Sequence, residues 1–154
     1  PDLIMSGQAM KAAIAILEPE LMKRKEQIPV LGKVVIGTVQ GDIHEIGKTL
    51  VGAMLAVNGF EVHDLGVDVA PQRFVDAVRE VGADVVGLSA LLTTTVLRQE
   101  DVIVSLRDAG LRDQVKVIIG GVPASAEWAE EIGADAYADN AVEAVEVVRR
   151  LVKA

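Results

Sequence analysis

After Pro29, short runs rich in β-branched residues alternate with longer runs in which apolar residues recur at helical spacing. This alternation constrains the fold more than any other feature of the sequence. The short runs predict strands at 33–39, 60–64, 84–89, 115–119 and 135–138. The longer runs predict helices near 47–58, 71–81, 96–109, 124–132 and 140–153. Strands that are separated by helices pair in parallel, with helices covering both faces of the sheet. We therefore predict an α/β fold with a doubly wound five-stranded parallel sheet.

The order of the strands determines where such a sheet binds a ligand. For these five strands we predict the order 2-1-3-4-5, which has a switch point between the first and third strands. Open α/β sheets bind their ligands in the crevice at that point, outside the carboxyl ends of the strands. The loops at 40–47 and 89–95 are therefore predicted to flank one crevice.

The composition argues against several kinds of binding partner and excludes sites that depend on cysteine. A formal net charge of −8, without a basic patch that contains aromatic residues, argues against binding to nucleic acid. The sequence has no apolar stretch long enough to span a bilayer and no signal sequence at its start, so we expect a cytoplasmic protein that does not insert into membranes. Because the chain has no cysteine, disulfides, thiolate metal sites and cysteine nucleophiles are excluded.

A polar loop, Thr38-Val-Gln-Gly-Asp-Ile-His-Glu-Ile-Gly-Lys-Thr49, follows the first predicted strand. A phosphate-binding loop would need four residues between its first glycine and the Gly-Lys-Thr element, so that backbone amides wrap the phosphates. Here five residues separate Gly41 from Gly47. Asp42 and Glu45 would also place negative charge where a nucleotide triphosphate must lie. The spacing therefore disfavours a nucleotide site.

Two other interpretations of the loop assign a role to His44. Asp42, His44 and Glu45 could be ligands of a simple metal ion, although one histidine with acidic neighbours is a weak signature. Alternatively, His44 is a metal ligand whose second ring nitrogen is held by Asp42, which fixes the tautomer and raises the basicity of the imidazole. A solvated loop in which Asp42 caps the next helix is the structural alternative.

Three sequence elements resemble those of cobalamin-binding domains. Gly41-Asp-Ile-His-Glu-Ile-Gly47 resembles the Asp-x-His-x-x-Gly motif of that family. Gly87-Leu-Ser-Ala-Leu91 resembles its Ser-x-Leu element, and Ile119-Gly-Gly-Val-Pro123 resembles its Gly-Gly element. The elements occur in the family's order, each at a predicted strand end. Over residues 30–154 the chain most resembles the corrinoid proteins of methyltransferase systems and the cobalamin domain of methionine synthase, which implies a flavodoxin-like cobalamin-binding domain.

The resemblance implies a role for each matching residue. His44 would be the lower axial ligand of cobalt in place of the dimethylbenzimidazole, and Asp42 and Thr95 would continue a hydrogen-bond relay from it. Gly120 and Gly121 would let the displaced nucleotide tail approach the backbone, although a tight turn would also explain them. The cofactor-binding residues implied are Gly41, Asp42, Ile43, His44, Glu45, Gly47, Ser89, Leu91, Thr93, Thr95, Gly120, Gly121 and Ala141. The cofactor would be cobalamin or a related corrinoid.

Residues 1–29 carry apolar residues at helical spacing, interrupted by Pro19. In the corrinoid proteins that the chain resembles, a helical bundle precedes the cobalamin domain and covers the upper face of the corrin. We therefore expect this short N-terminal helical segment to be the C-terminal remnant of such a cap domain.

The resemblance implies a methyl carrier that alternates between Co(I) and methyl-Co(III). It would work with a substrate-specific methyltransferase and an acceptor methyltransferase, and a reductive activase is a further candidate partner. No catalytic acid, base or nucleophile is evident in the chain, so we expect a component of a methyltransferase system rather than a complete enzyme. A subunit of a B12-dependent mutase and a cobalamin-dependent sensor would carry the same three elements and stay open as alternatives.

Overall fold

The computed structural model describes residues 29–153, together with residues 11, 12, 14–16, 18 and 19, which are helical. Most of the predicted cap remnant at 1–29 therefore lies outside the described residues. The strands are β1 (Lys33–Thr38), β2 (Glu61–Asp64), β3 (Val85–Ser89), β4 (Lys116–Gly120) and β5 (Ala136–Tyr137). The helices are α1 (Ile46–Val57), α2 (Pro71–Val81), α3 (Arg98–Asp108), α4 (Ala126–Ile132) and α5 (Ala141–Lys153), and a 3-10 turn spans Arg112–Gln114.

The five strands form one parallel sheet of order β2-β1-β3-β4-β5, which confirms the predicted flavodoxin-like topology. At the carboxyl edge Thr38 pairs with Ser89, and Ser89 pairs with Gly120. The ends of the three central strands are therefore level with one another. Because all strands are parallel, every loop that leaves a strand emerges at this same edge.

Alternate residues of the strands serve two hydrophobic clusters, one on each face of the sheet. Val35, Val86 and Ile119 face the larger cluster, which packs against α2, α3 and α4. Ile36 and Ile118 face the smaller cluster, which packs against α1 and α5. Both faces of the central strands are thus covered, and this explains why their sequences are almost entirely apolar.

Two helices begin two residues later than predicted, for local reasons. The third helix begins at Arg98 rather than at 96, because residues 93–97 form turns that precede it. The fourth begins at Ala126 rather than at 124, because the Ser125 hydroxyl accepts a hydrogen bond from the Trp128 amide (3.0 Å) and so caps the helix. None of the helices in the described part of the chain combines the length and apolar character that crossing a bilayer requires.

Candidate functional site

The loops after β1 and β3 meet at the carboxyl edge of the sheet, and Asp42 joins them. Its Oδ1 accepts the backbone N–H of His44 (3.0 Å) and lies 2.7 Å from His44 Nδ1. Its Oδ2 accepts the backbone N–H of Leu91 (2.8 Å) and the hydroxyl of Thr95 (2.6 Å). The two loops are therefore joined at the switch point of the sheet, and the structure brings His44, Asp42 and Thr95 into one hydrogen-bonded chain.

Asp42 is fully buried and ionised. Burial raises the pKa of its carboxyl group, but the hydrogen bonds from Leu91, Thr95 and His44 together outweigh burial and hold the pKa well below its usual value. Both carboxylate oxygens are engaged by these donors, so they do not cap α1, which begins after Glu45. The structural alternative for Asp42, a helix cap, does not describe its observed contacts.

The imidazole of His44 is oriented by this carboxylate. Because an ionised carboxylate can only accept hydrogen bonds, the ring donates from Nδ1 and carries its lone pair on Nε2 when it is neutral. The side chain is 46% exposed. Among the residues that the structure describes, Nε2 has no hydrogen-bond partner. The loop thus presents a basic nitrogen that an external ligand or a metal centre can reach.

Thr38, the last residue of β1, also positions His44, and the sequence analysis did not identify it. Its side chain is buried, and its hydroxyl donates a hydrogen bond to the carbonyl oxygen of His44 (2.8 Å). A hydroxyl residue that ends a buried apolar strand directly before a polar motif is the signal that could have revealed it. With Asp42 it holds the backbone of His44 from both sides, since Asp42 accepts the N–H and Thr38 binds the carbonyl.

The structure argues against the nucleotide interpretation of this loop. The side chain of Lys48 is 3% exposed, and its Nζ lies 2.6 Å from each carboxylate oxygen of Asp64. Its charge is therefore neutralised within the fold and does not face the crevice as a phosphate ligand would. The metal interpretation is not supported either, because within the described residues no three His, Asp or Glu side chains are grouped to hold an ion.

The other predicted site residues differ in their exposure. Ile43, Glu45, Gly47, Leu91 and Thr93 are exposed, Ser89 is half-buried, and Ala141 is buried at the start of α5. Leu91 contributes its backbone N–H to Asp42, a contact that the sequence analysis did not foresee. The structure therefore joins Leu91 to the loop that carries His44 and leaves its side chain exposed.

The two adjacent glycines of the third element have different surroundings. A Cβ atom added at Gly121, whose φ is 116°, would lie 1.7 Å from the carbonyl oxygen of Ala90. Packing of the fold itself therefore requires glycine there, which agrees with the tight-turn explanation. At Gly120 a Cβ would meet only the carbonyl of Ala138, at an ordinary 3.5 Å. The backbone at Gly120 is thus the part of this pair that is open to close approach by a ligand.

A buried glutamine fixes the ends of β3 and β4, and the sequence analysis missed it. Gln99 is fully buried, and its Nε2 donates to the carbonyl oxygens of Leu88 (3.2 Å) and Gly120 (3.0 Å). Its Oε1 accepts the indole N–H of Trp128 (3.0 Å). The signal was available, because Gln99 lies four residues before Ile103 and therefore on the apolar face of α3.

Tyr137 ends β5 and packs against the larger cluster. Burial, its hydrogen bond to Asp139 (3.0 Å) and the negative charges of Asp139 and Glu143 all raise the pKa of its hydroxyl. Its hydroxyl is therefore neutral at physiological pH and is held by the protein. Tyr137 is therefore a strand-end residue that packs on the core.

Comparison with known proteins places these features in one family. The profile of the B12 binding domain matches residues 32–146. The dimethylamine corrinoid protein 2 of Methanosarcina acetivorans is 50% identical over 151 residues, which are 98% of this chain and 69% of that protein. The solved monomethylamine corrinoid protein of Methanosarcina barkeri is 44% identical, with a TM-score of 0.82 over 98% of this chain and 71% of that one. The methanol:cobalamin methyltransferase complex MtaBC of Methanosarcina barkeri contains a chain that is 27% identical, with a TM-score of 0.77 over 99% of this chain and 57% of that one.

Proposed function

Since the chain belongs to the family of B12-binding domains, we propose that it is a methyl carrier that works between two methyltransferases. Its cofactor is cobalamin or a related corrinoid. When bound, the corrinoid supplies a cobalt centre that can accept a methyl group and release it again. The chain itself would bind the corrinoid and orient the imidazole that holds its cobalt.

The observation that supports this proposal most is the oriented imidazole of His44. Nδ1 is held by the ionised Asp42, and Nε2 is left as a basic nitrogen at the sheet edge. We assign His44 as the lower axial ligand of cobalt. Thr95 in turn holds the carboxylate of Asp42 in place, so the imidazole keeps its orientation.

Exposed apolar side chains in the loops at the carboxyl edge of the sheet support the binding of a flat macrocycle. Ile43, Leu91 and Val122, which follow β1, β3 and β4, are 74%, 38% and 82% exposed and offer apolar contact area to a large ring. The backbone at Gly41 and Gly47 leaves room, because an added Cβ would meet only Thr95 at 3.7 Å at the first and nothing within 4 Å at the second. These residues match what a corrin would need on its lower side.

We propose that the nucleotide tail lies beside Ser89 and Gly120, on the face of the sheet that α1 and α5 cover. Gly120 follows Ile118 by two residues and shares its face, and Ser89 is its partner in the sheet register. Among the described residues, only the carbonyl oxygen of Ala138 lies within 4 Å of a Cβ added at Gly120, so no long side chain of these residues covers this position. Leu91 and Thr93 would also contact the nucleotide tail, at the entrance to this site.

The proposed partners are a substrate-specific methyltransferase, an acceptor methyltransferase and a reductive activase. Relatives named for methylamines are more similar to this chain than the relative named for methanol, so a methylamine is the first methyl source to test. Transfer of the methyl group from the loaded protein to a thiol, catalysed by an acceptor methyltransferase, would support a carrier. A sensor or a mutase subunit would bind the same cofactor without this turnover.

Substitution of His44 tests the ligation claim. Methylcobinamide has no nucleotide base of its own, so a nitrogen-ligated absorbance spectrum on the wild-type protein requires a ligand from the chain. We expect His44→Ala to give the spectrum of the unligated cofactor, and added imidazole to restore the ligated one.

The chain offers a matched control, because its other histidine is His63, which pairs with Glu61 on the edge strand (2.8 Å). His63→Ala should keep the nitrogen-ligated spectrum. A ligated spectrum that survives His44→Ala without imidazole would refute the assignment of the axial ligand.

Substitution of Gln99 tests the proposed tail site. Gln99→Leu removes the donor that holds the Gly120 carbonyl, so we expect cobalamin to bind about tenfold more weakly, which corresponds to about 1.4 kcal/mol. Cobinamide, which lacks the tail, should bind as it does to the wild type. Fluorescence of the single tryptophan, Trp128, should also change, because its indole N–H loses its acceptor.

Gln72→Leu is a suitable control, because Gln72 is also hydrogen-bonded but lies at the surface (2.9 Å to Asp76). It should leave the binding of both corrinoids unchanged. Equal weakening of cobalamin and cobinamide by Gln99→Leu would mean that the residue stabilises the fold without shaping the tail site.

A further inference from the structure

The loop between β2 and α2 contains a residue in an uncommon backbone conformation. Of the residues that the structure describes, Asp68 is the non-glycine residue with a positive φ, at 50°. Aspartate tolerates the left-handed region better than most residues, but the conformation still has a cost and persists only where the surroundings enforce it. Contacts with the surrounding residues must therefore hold Asp68 in this conformation.

Asp68 makes two hydrogen bonds to the loop that carries His44. Its Oδ1 accepts the backbone N–H of Gly41 (2.7 Å), and its own N–H donates to the carbonyl oxygen of Asp42 (2.8 Å). These two groups lie on either side of the Cα atom of Asp42. A single residue from another loop therefore holds the backbone on both sides of the carboxylate that orients the imidazole.

The segment that Asp68 holds contains a glycine, Gly41. Gly41 has a φ of 86°, and without a Cβ it can reach many other conformations. Rotation at Gly41 would displace Asp42, whose side chain must keep its bonds to His44, Leu91 and Thr95 at once. The two hydrogen bonds from Asp68 restrict this rotation of the backbone at Gly41.

The loop that carries Asp68 is itself fixed to the sheet. Thr38 donates its N–H to Gly66 (2.9 Å) and accepts that of Val69 (3.0 Å), so backbone hydrogen bonds bracket Asp68. The pair of Lys48 and Asp64 ties the start of the same loop to α1. The loop that carries Asp68 is therefore held in place by both β1 and α1.

We propose that Asp68 is a positioning residue that sets the orientation of His44 through Asp42. This inference rests on the proposed function, since the quantity that it affects is ligation of the metal by His44. Asp68 does not itself touch the imidazole. Its effect is on the fraction of bound corrinoid that carries the histidine ligand.

The test compares three variants of the full chain. Asp68→Asn keeps a side-chain oxygen and the tolerance for positive φ, Asp68→Gly removes the oxygen but relieves the backbone, and Asp68→Ala removes the oxygen and leaves a residue that tolerates positive φ less well. For each we would measure thermal unfolding without corrinoid and the fraction of methylcobinamide that shows the nitrogen-ligated absorbance.

We expect Asp68→Gly to unfold within a few degrees of the wild type, because relief of the positive φ offsets the lost hydrogen bond. Its nitrogen-ligated fraction should nevertheless fall severalfold, and that of Asp68→Ala should fall as well. Asp68→Asn should keep the wild-type fraction. A loss of ligation without a loss of stability is a result that a merely structural role would not give.

The outcomes separate this inference from the proposed function. If the wild type itself shows no nitrogen-ligated methylcobinamide, ligation by His44 fails and the inference fails with it. If the wild type is ligated and Asp68→Gly and Asp68→Ala are ligated equally well, the inference alone is overturned. It is also overturned if Asp68→Asn loses as much ligation as Asp68→Gly.

Discussion

Gly121→Ala is expected to destabilise the folded protein by about 4 kcal/mol or more, or to prevent it from folding. The added Cβ would lie 1.7 Å from the carbonyl oxygen of Ala90, and this neighbour is backbone, which cannot turn away as a side chain can. The φ of 116° is a second obstacle, since residues with a Cβ rarely adopt it. Denaturant unfolding of the protein without corrinoid would measure the effect.

The preceding glycine provides the matched control. A Cβ at Gly120 meets the Ala138 carbonyl at 3.5 Å, so Gly120→Ala should change the free energy of unfolding by less than about 1 kcal/mol. If Gly120 borders the tail, the same methyl group should weaken binding of cobalamin and spare that of cobinamide. Equal stabilities of the two variants would show that the contact between Gly121 and Ala90 does not constrain the fold.

Asp42→Asn is expected to destabilise the protein by about 2 to 4 kcal/mol and to disturb the orientation of His44. Asparagine has nearly the same shape, but one of its oxygens is replaced by a donor group. If its oxygen faces His44, its amide nitrogen faces the N–H of Leu91, and two donors then meet in a buried place. The folded protein loses stability because a buried N–H group without an acceptor has given up its hydrogen bonds to water and gains none in return.

Urea unfolding and the methylcobinamide spectrum would check this prediction together. The nitrogen-ligated fraction should fall, because a neutral amide holds the imidazole less firmly than a carboxylate. Asp108→Asn, at the exposed end of α3, makes the same chemical change and should alter stability by no more than about 0.5 kcal/mol. Similar stabilities of the two variants would contradict the account of Asp42 as an ionised, fully bonded group.

The sequence predicted the fold closely because its signals are local. Each predicted strand and helix ends within two residues of the observed one. Buried central strands need apolar residues on both faces, so runs such as Val34 to Ile36 read as strands without knowledge of their neighbours. The strand order followed from connection rules that depend on the alternation alone.

The site was less predictable, because its contacts join residues that are distant in the sequence. Thr95 was placed beside Asp42 by resemblance to a family, and the geometry agrees with that placement. The N–H of Leu91 carries no signal, because every residue except proline has one. The contacts of Asp68 with Gly41 and Asp42 could not be predicted, since they depend on how two loops pack.

The unequal division of the core between the two faces of the sheet has a practical consequence for protein engineering. The larger cluster lies under α2, α3 and α4, whereas Gly120 and Ser89 belong to the face shared by α1 and α5. If the nucleotide tail lies on that face, as proposed, libraries that vary the inward residues of α1 and α5 can be screened for binding of corrinoids with altered tails. The larger cluster under α2, α3 and α4 would keep its sequence and serve as a constant scaffold throughout the selection.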